Sequence, residues 1–285
     1  MTFATRRTIL TVTRYLTLFL VSVIMLYPLL WMVSAIWRDN SAIWAEAGLI
    51  PRNPVSGWTN IQEGWIVQGR SLLFYFGNTL RFLIPRVIGQ VVSCVLTAYA
   101  ITRFHFKGKK IVFSLIIATL LMPEVIFRIP MFQLYQRIGL FGTNLPLWLE
   151  NWFATGSFFV FMLIQFMRTI PKDLDEAAKI DGCNSFQTLT FVLLPVMKPA
   201  IITVGLLTFM WGMNDFLGPL IYLRDPESRV LQQALRMATD LTGEGAINWG
   251  AIFAMSVMAL LPAIIIFFAA QRYFIDGIAS TGSKE

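Results

Sequence analysis

Charge is scarce in this chain. Of its 285 residues only 14% are Asp, Glu, Lys or Arg, against 56% apolar residues. Soluble domains carry about 25% charged residues, and the mean hydropathy of +0.64 points the same way. This deficit excludes an ordinary water-soluble globule. Cysteine and histidine are nearly absent, at two and one, too few for a typical zinc site. Cys94 falls in the middle of an apolar stretch and Cys183 in a polar loop, so the two are at different levels and no disulfide is expected. No G-x-x-x-x-G-K-S/T run occurs, so the chain has no Walker cradle for ATP. No serine or cysteine stands with a plausible base, which leaves a membrane-embedded enzyme without its catalytic group. No internal repeat is visible, which argues against an inverted-repeat secondary transporter. The net charge of +7 is spread over loops with no recognition motif, so it is not the footprint of a nucleic-acid binder.

What the chain has is long apolar runs. A spanning helix needs about 20 mostly apolar residues. Six stretches qualify: Leu16–Trp37, Asn78–Ile101, Ile111–Met131, Trp152–Met167, Ile201–Leu223 and Trp249–Ala270. They occupy most of the length and predict one all-α, polytopic membrane domain over residues 1–285. The first run is too long for a signal-peptide core and lacks an A-x-A site, so it is expected to be retained.

Orientation follows from basic residues beside the spans. Arg6, Arg7 and Arg14 precede the first span without an acid, and Arg103, Lys107, Lys109 and Lys110 follow the second. Both segments are expected in the cytoplasm, and with six spans both termini are cytoplasmic. Residues 38–77 then form a large outer loop. Trp37, Trp44, Trp58, Trp65, Trp148, Trp152 and Trp249 fall at or beyond outer span ends, as interfacial tryptophans do.

One polar segment, about 170–198, interrupts the apolar pattern. Pro171 suits the first turn of a helix. Asp173, Asp175 and Glu176 place negative charge towards its N-terminus. Ala177, Ala178 and Ile180 give a small apolar face, and Gly182 is a natural stop. Asn184 or Ser185 can cap a second helix that runs through Phe186, Leu189 and Phe191 to Pro195. A channel or a simple seal needs no such element, whereas a small-faced helix suits a groove on another protein.

The order Glu176-Ala177-Ala178, three residues, Gly182, nine residues, Val192-Leu193-Leu194-Pro195 resembles the coupling loop of ABC importer permeases. Val192 stands where isoleucine is usual. The whole chain looks like the maltose-type, carbohydrate branch. Leu121-Met122-Pro123, Asn214-Asp215-Phe216 and the C-terminal Gln271-Arg272-Tyr273-Phe274 with Gly277 are also similar to that family. The resemblance implies a multi-pass permease subunit of the bacterial plasma (inner) membrane that translocates a sugar or sugar derivative. It implies a second, homologous permease as heterodimer partner, two ATPase subunits, and an extracytoplasmic solute-binding protein. ATP and Mg would reside on the ATPase, with no cofactor on this chain. Glu176, Ala177, Ala178, Asp181, Gly182, Leu194 and Pro195 would carry the coupling. The rival reading is a secondary transporter or channel for a small polar solute.

Ionisable groups inside a membrane are costly and mark function by default. Counted along straight helices at 1.5 Å per residue, Arg86 lies about 22 Å above the inner edge, and Glu124, Asn214 and Asp215 about 20 Å. Arg81 and Arg128 sit higher. Arg86 therefore has two candidate partners at its own level, Glu124 or Asp215. These residues either seal the bundle as ion pairs or line a translocation pathway. Three arginines against two acids leave one positive charge over, which makes an anionic sugar derivative conceivable.

Overall fold

The computed structural model describes residues 3–46, 48–52, 54–55, 57–240 and 247–282, with side chains from Ile9 to Arg272 except Asp240. Arg6, Arg7, Tyr273, Phe274 and Gly277 thus lie outside the described side chains. The chain divides into two compact units: residues 1–72 with 235–260, and residues 73–234 with 261–285.

The first unit opens on α1 (Phe3–Ala35), which is apolar on all sides. Every described side chain from Ile9 to Leu30 is exposed, as expected of a helix that meets lipid or another chain. Beyond it, Arg38 is buried. Its guanidinium donates to the carbonyls of Glu46 and Gly48 and to Ser34 Oγ, and lies 5.5 Å from the Trp31 ring centroid. Those bonds fold the segment after α1 back on itself. Phe253 meets Trp31 edge-on, Trp44 lies tilted against Trp31, and Trp249 meets Trp44 edge-on, so tryptophans expected as interface anchors pack on one another. The short helix α2 (Gly57–Trp65) lies against the start of the last helix. A Cβ on Gly64 would come within 2.4 Å of the Ala251 carbonyl oxygen, so only glycine permits that approach. Two-residue strands β1 (Ile66–Val67) and β2 (Arg70–Ser71) pair antiparallel. Gln68 and Gly69 have φ of 48° and 74°, the positive values that a tight hairpin turn requires. This hairpin is the one β feature among the described residues.

The second unit is helical. Its elements are α3 (Leu72–Arg103), α4 (Lys109–Leu121), α5 (Val125–Arg137), α6 (Ser157–Thr169), α7 (Asp173–Ile180), α8 (Ser185–Gln187), α9 (Leu194–Met213) and α10 (Leu217–Tyr222). Helices α11 (Leu231–Asp240) and α12 (Trp249–Gly282) complete the chain. The core forms where α3, α6 and α9 meet, around Cys94, Ala98, Leu163, Ile164, Met167 and Met197, all fully buried or nearly so. Among the described residues four helices are long and apolar enough to cross a membrane, or up to six if each bent pair counts as one span.

Three expected spans differ from straight helices; the fourth is interrupted at Ala154, whose φ is +55°, and its α-helix runs only from Ser157 to Thr169. The third breaks between α4 and α5, which meet at 107°. Pro123 explains it: proline drives the preceding residue out of the α region, and Met122 is extended, with φ −86° and ψ 135°. The fifth begins far earlier than Ile201. Ser185–Met213 is one continuous helix, in which Thr188–Leu193 forms a π-helical turn. Pro195 follows that turn and has no N–H to offer the preceding carbonyls. The fifth span also stops at Met213, with Asn214 to Phe216 turning the chain before α10.

Candidate functional site

The polar loop folds as a closed helical cap. In α7 the acids Asp173, Asp175 and Glu176 occupy the first turn, where they face the positive end of the helix dipole. At its end the Cys183 amide donates to Ala178 O at 2.9 Å and the Gly182 amide to Lys179 O at 3.0 Å. Gly182 has φ +83°. This is a Schellman closure, and it needs a left-handed residue at that position. Asn184 then opens the next helix through a capping box. Its side chain accepts from the Gln187 amide at 2.9 Å, and Gln187 Oε1 accepts from the Asn184 amide at 2.8 Å.

The expected apolar face of α7 is split. Ala178 is buried, whereas Glu176, Ala177, Ile180 and Asp181 point outwards. Ile180 is 87% exposed, and Phe186 and Phe191 are 69% and 72% exposed. Leu194 is half-buried and Pro195 exposed. The loop therefore presents a cluster of large apolar side chains outwards, which costs free energy in water and needs a cover.

Sequence reasoning missed what holds this cap. Arg103, at the end of α3, approaches Asp175 at 2.9 Å, with side chains only 8% and 13% exposed. The contact is an ion pair and lacks the angles of a hydrogen bond, since Arg103 Nε has no hydrogen-bond partner. Arg103 also donates to Ile170 O at 3.0 Å, and Tyr99 Oη to Ser185 O at 2.9 Å. Ile170 and Ser185, on either side of α7, are thus both tied to α3. An arginine ending one apolar run and an acid opening the next polar loop was the available signal. The same contacts place the basic stretch 103–110 and the loop at one end of the unit.

Farther along the unit lies a cavity of about 570 Å³, within the usual range of about 300–1,000 Å³ for ligand sites. Arg86, Gln90, Glu124, Glu150 and Asn151 line it, with Phe158 and Trp211 among its apolar walls. Arg86 donates to Asp215 Oδ2 at 2.9 Å. Glu124, the other candidate, is bound instead by Arg128 at 3.4 Å one turn along, and its carboxylate is 82% exposed. The break at Pro123 is the reason, because α5 leaves the direction along which depth was counted. Asp215 Oδ1 also accepts from the Gly218 amide at 2.9 Å. A Cβ on Gly218 would sit 2.8 Å from Asp215 Oδ2, so the glycine leaves room for the carboxylate. Asn214 turns away and donates to Met210 O. Gln90 is buried, accepts from Asn151 Nδ2 and packs so closely on Gly156 that a Cβ there would meet its amide at 2.4 Å.

A model of the family described as "Binding-protein-dependent transport system inner membrane component" matches residues 90–280. The chain belongs to this family. Its members are permease components of ABC transporters, and this chain is a multi-pass permease subunit. The permease is 30% identical, over 276 residues, to a probable ABC transporter permease protein, YurM, of Bacillus subtilis, covering 94% of this chain and 86% of that one. It is 29% identical to the galactooligosaccharides transport system permease protein GanQ of Bacillus subtilis, covering 98% and 97%. Among solved structures, a bacterial ABC transporter involved in the import of the acidic polysaccharide alginate superposes with a TM-score of 0.79, at 22% identity, over 96% of this chain and 99% of that one. That likeness concerns the fold. The described residues contain no group of histidine, cysteine and acid side chains able to hold a metal.

Proposed function

We propose that this permease subunit carries a carbohydrate through six spans, with both termini in the cytoplasm, and that the loop of residues 170–198 is the docking point for an ATPase. ATP hydrolysis then belongs to two separate ATPase subunits, with ATP and Mg bound there. A second permease completes the membrane pathway, and an extracytoplasmic binding protein delivers the sugar. The observation that carries the docking role is the exposed cluster of Ile180, Phe186 and Phe191 on a loop otherwise closed by caps and clamped by Arg103. A loop with no partner would gain by burying those side chains or replacing them. The basic residues at the same end support a cytoplasmic position. The names of relatives such as the galactooligosaccharides permease support the carbohydrate class.

Glu176 is exposed beside this cluster and contributes charge to the docked face. Truncating one partner of a desolvated charged contact costs about 2–5 kcal/mol. Glu176→Lys is expected to reduce co-purification of the ATPase in detergent by at least tenfold. Equal recovery with wild type and variant would refute the assignment of Glu176 to the interface.

A further inference from the structure

The cavity beside Arg86 differs in charge from the sequence expectation. Arg81, counted there as a pathway arginine, donates to Asn78 Oδ1 at 3.2 Å and does not line the cavity. Glu150, which belongs to the outer segment by sequence, folds in and lines it. Its carboxylate has neither a hydrogen-bond partner nor an ion-pair partner; burial pushes its pKa above the usual carboxylate value, which Arg86 and Arg128 oppose and Glu124 and Asp215 reinforce. Both arginines are already engaged, by Asp215 and by Glu124. Of the charged side chains that line the cavity, two are acids, Glu124 and Glu150, and one is Arg86, already paired with Asp215, so the surplus is negative.

Two further atoms lack partners. Asn151 is more than nine-tenths buried and lines the cavity, and its Oδ1 accepts no hydrogen bond. Arg86 Nε, buried at the cavity wall, donates none. Buried polar atoms are rarely left unpaired in a folded protein. An acceptor amide, a free carboxylate and an unused guanidinium N–H thus converge on one space. A sugar hydroxyl donates one hydrogen bond and accepts up to two, so two neighbouring hydroxyls of one ring can satisfy all three. Trp211 and Phe158 lie nearby, tilted at 41° with ring centroids 6.0 Å apart, and offer flat apolar surface to the C–H face of a pyranose ring.

We propose that this half of the transporter contacts the substrate directly, with Glu150 and Asn151 as recognition residues and uncharged sugars as the ligand class. The inference rests on the carbohydrate-importer reading above. An anionic sugar would bring a further negative charge beside Glu150, in a space whose one lining guanidinium, that of Arg86, is already paired with Asp215. Like charges juxtaposed in a partly desolvated site oppose binding. An uncharged oligosaccharide meets acceptors and donors without that penalty.

The test uses the complete importer in proteoliposomes, with its binding protein and ATPase. The probes are maltotriose, galactotriose and trigalacturonate. The binding protein is expected to retain an uncharged trisaccharide, and the importer to accumulate it. Glu150→Ala is expected to lower its uptake by about tenfold, the scale of a lost charged hydrogen bond, with complex recovered at the wild-type level on size exclusion. Glu150→Gln keeps an acceptor and is expected to recover part of the loss. Glu150→Lys is expected to shift the trigalacturonate to uncharged uptake ratio upwards. If the binding protein retains only trigalacturonate, the charge argument is overturned. If an uncharged sugar is transported and Glu150→Ala or Glu150→Lys changes nothing, the recognition role is overturned while the importer reading stands. If no sugar is retained, the carbohydrate reading fails, and this inference with it.

Discussion

Replacing Arg103 by methionine should loosen the capped loop of residues 170–198 without unfolding the bundle. The substitution keeps the length of the stem and removes the charge that faces Asp175. Both side chains are nearly buried, at 8% and 13% exposure. Breaking a buried pair by removing one partner costs about 3–5 kcal/mol. Residual access of water to this end of the unit lowers that to about 2–3 kcal/mol. The lost bond to Ile170 O adds about 1 kcal/mol. At 1.4 kcal/mol per decade, 3 kcal/mol corresponds to roughly a hundredfold increase in local opening. Amide hydrogen exchange of Asp173–Cys183 in the assembled complex reads this directly. The Asp181, Gly182 and Cys183 amides should report most clearly, because each is bonded within the loop. Adding Asp175→Asn should restore most of the protection, since no charge is then stranded. Exchange within threefold of wild type in the single variant would refute the clamp, and so would a double variant no better than the single.

Three further outcomes are expected. Arg86→Met should reduce the folded yield by stranding Asp215, and Arg86→Met with Asp215→Asn should recover it. Glu124→Gln should rescue nothing, because Glu124 pairs with Arg128; fluorescence size exclusion of the variants distinguishes these cases. Gly89→Ala would place a Cβ 2.3 Å from Trp152 Cδ1, displacing the indole that donates to Pro85 O at 3.1 Å; overpacking of this kind costs about 1–3 kcal/mol, seen as a lower melting midpoint. Gly182→Ala should cost about 1–2 kcal/mol from its left-handed backbone alone, because nothing lies within 4 Å of its missing side chain, while Gly182→Asn should cost less and retain more substrate-stimulated ATP hydrolysis.

The caps of the 170–198 segment were legible because their signals are local. Acids in a first turn, a glycine after the last, and an asparagine three residues before a glutamine specify caps whatever surrounds them. The intramembrane partners were less legible because depth counting assumes straight helices. Leu121-Met122-Pro123 carried the warning, since proline restricts the residue before it, yet the run stays apolar across the break. No proline marks the end of α9, where Asn214 and Asp215 end the helix by turning the chain. Glu150 could not be found by hydropathy. It lies between Trp148 and Trp152, outside the expected spans, and only the fold of residues 145–153 carries it to the cavity. Trp44 and Trp249 stand near expected span ends in the sequence, but they pack on each other across about 200 residues.

The continuous helix Ser185–Met213 joins the capped loop to the cavity wall at Thr208 and Trp211. At 1.5 Å per residue it is a rod about 43 Å long. Each residue also advances the rotation by about 100°. The azimuth of Trp211 is therefore slaved to the number of residues that separate it from Asn184. One residue inserted near Gly205 would leave hydropathy and length almost unaltered. It would swing Thr208 and Trp211 by more than a quarter of a revolution, out of the cavity, and bring their neighbours in. Between these two points the chain tolerates substitution far better than insertion or deletion, and phase, more than composition, is what this segment has to preserve.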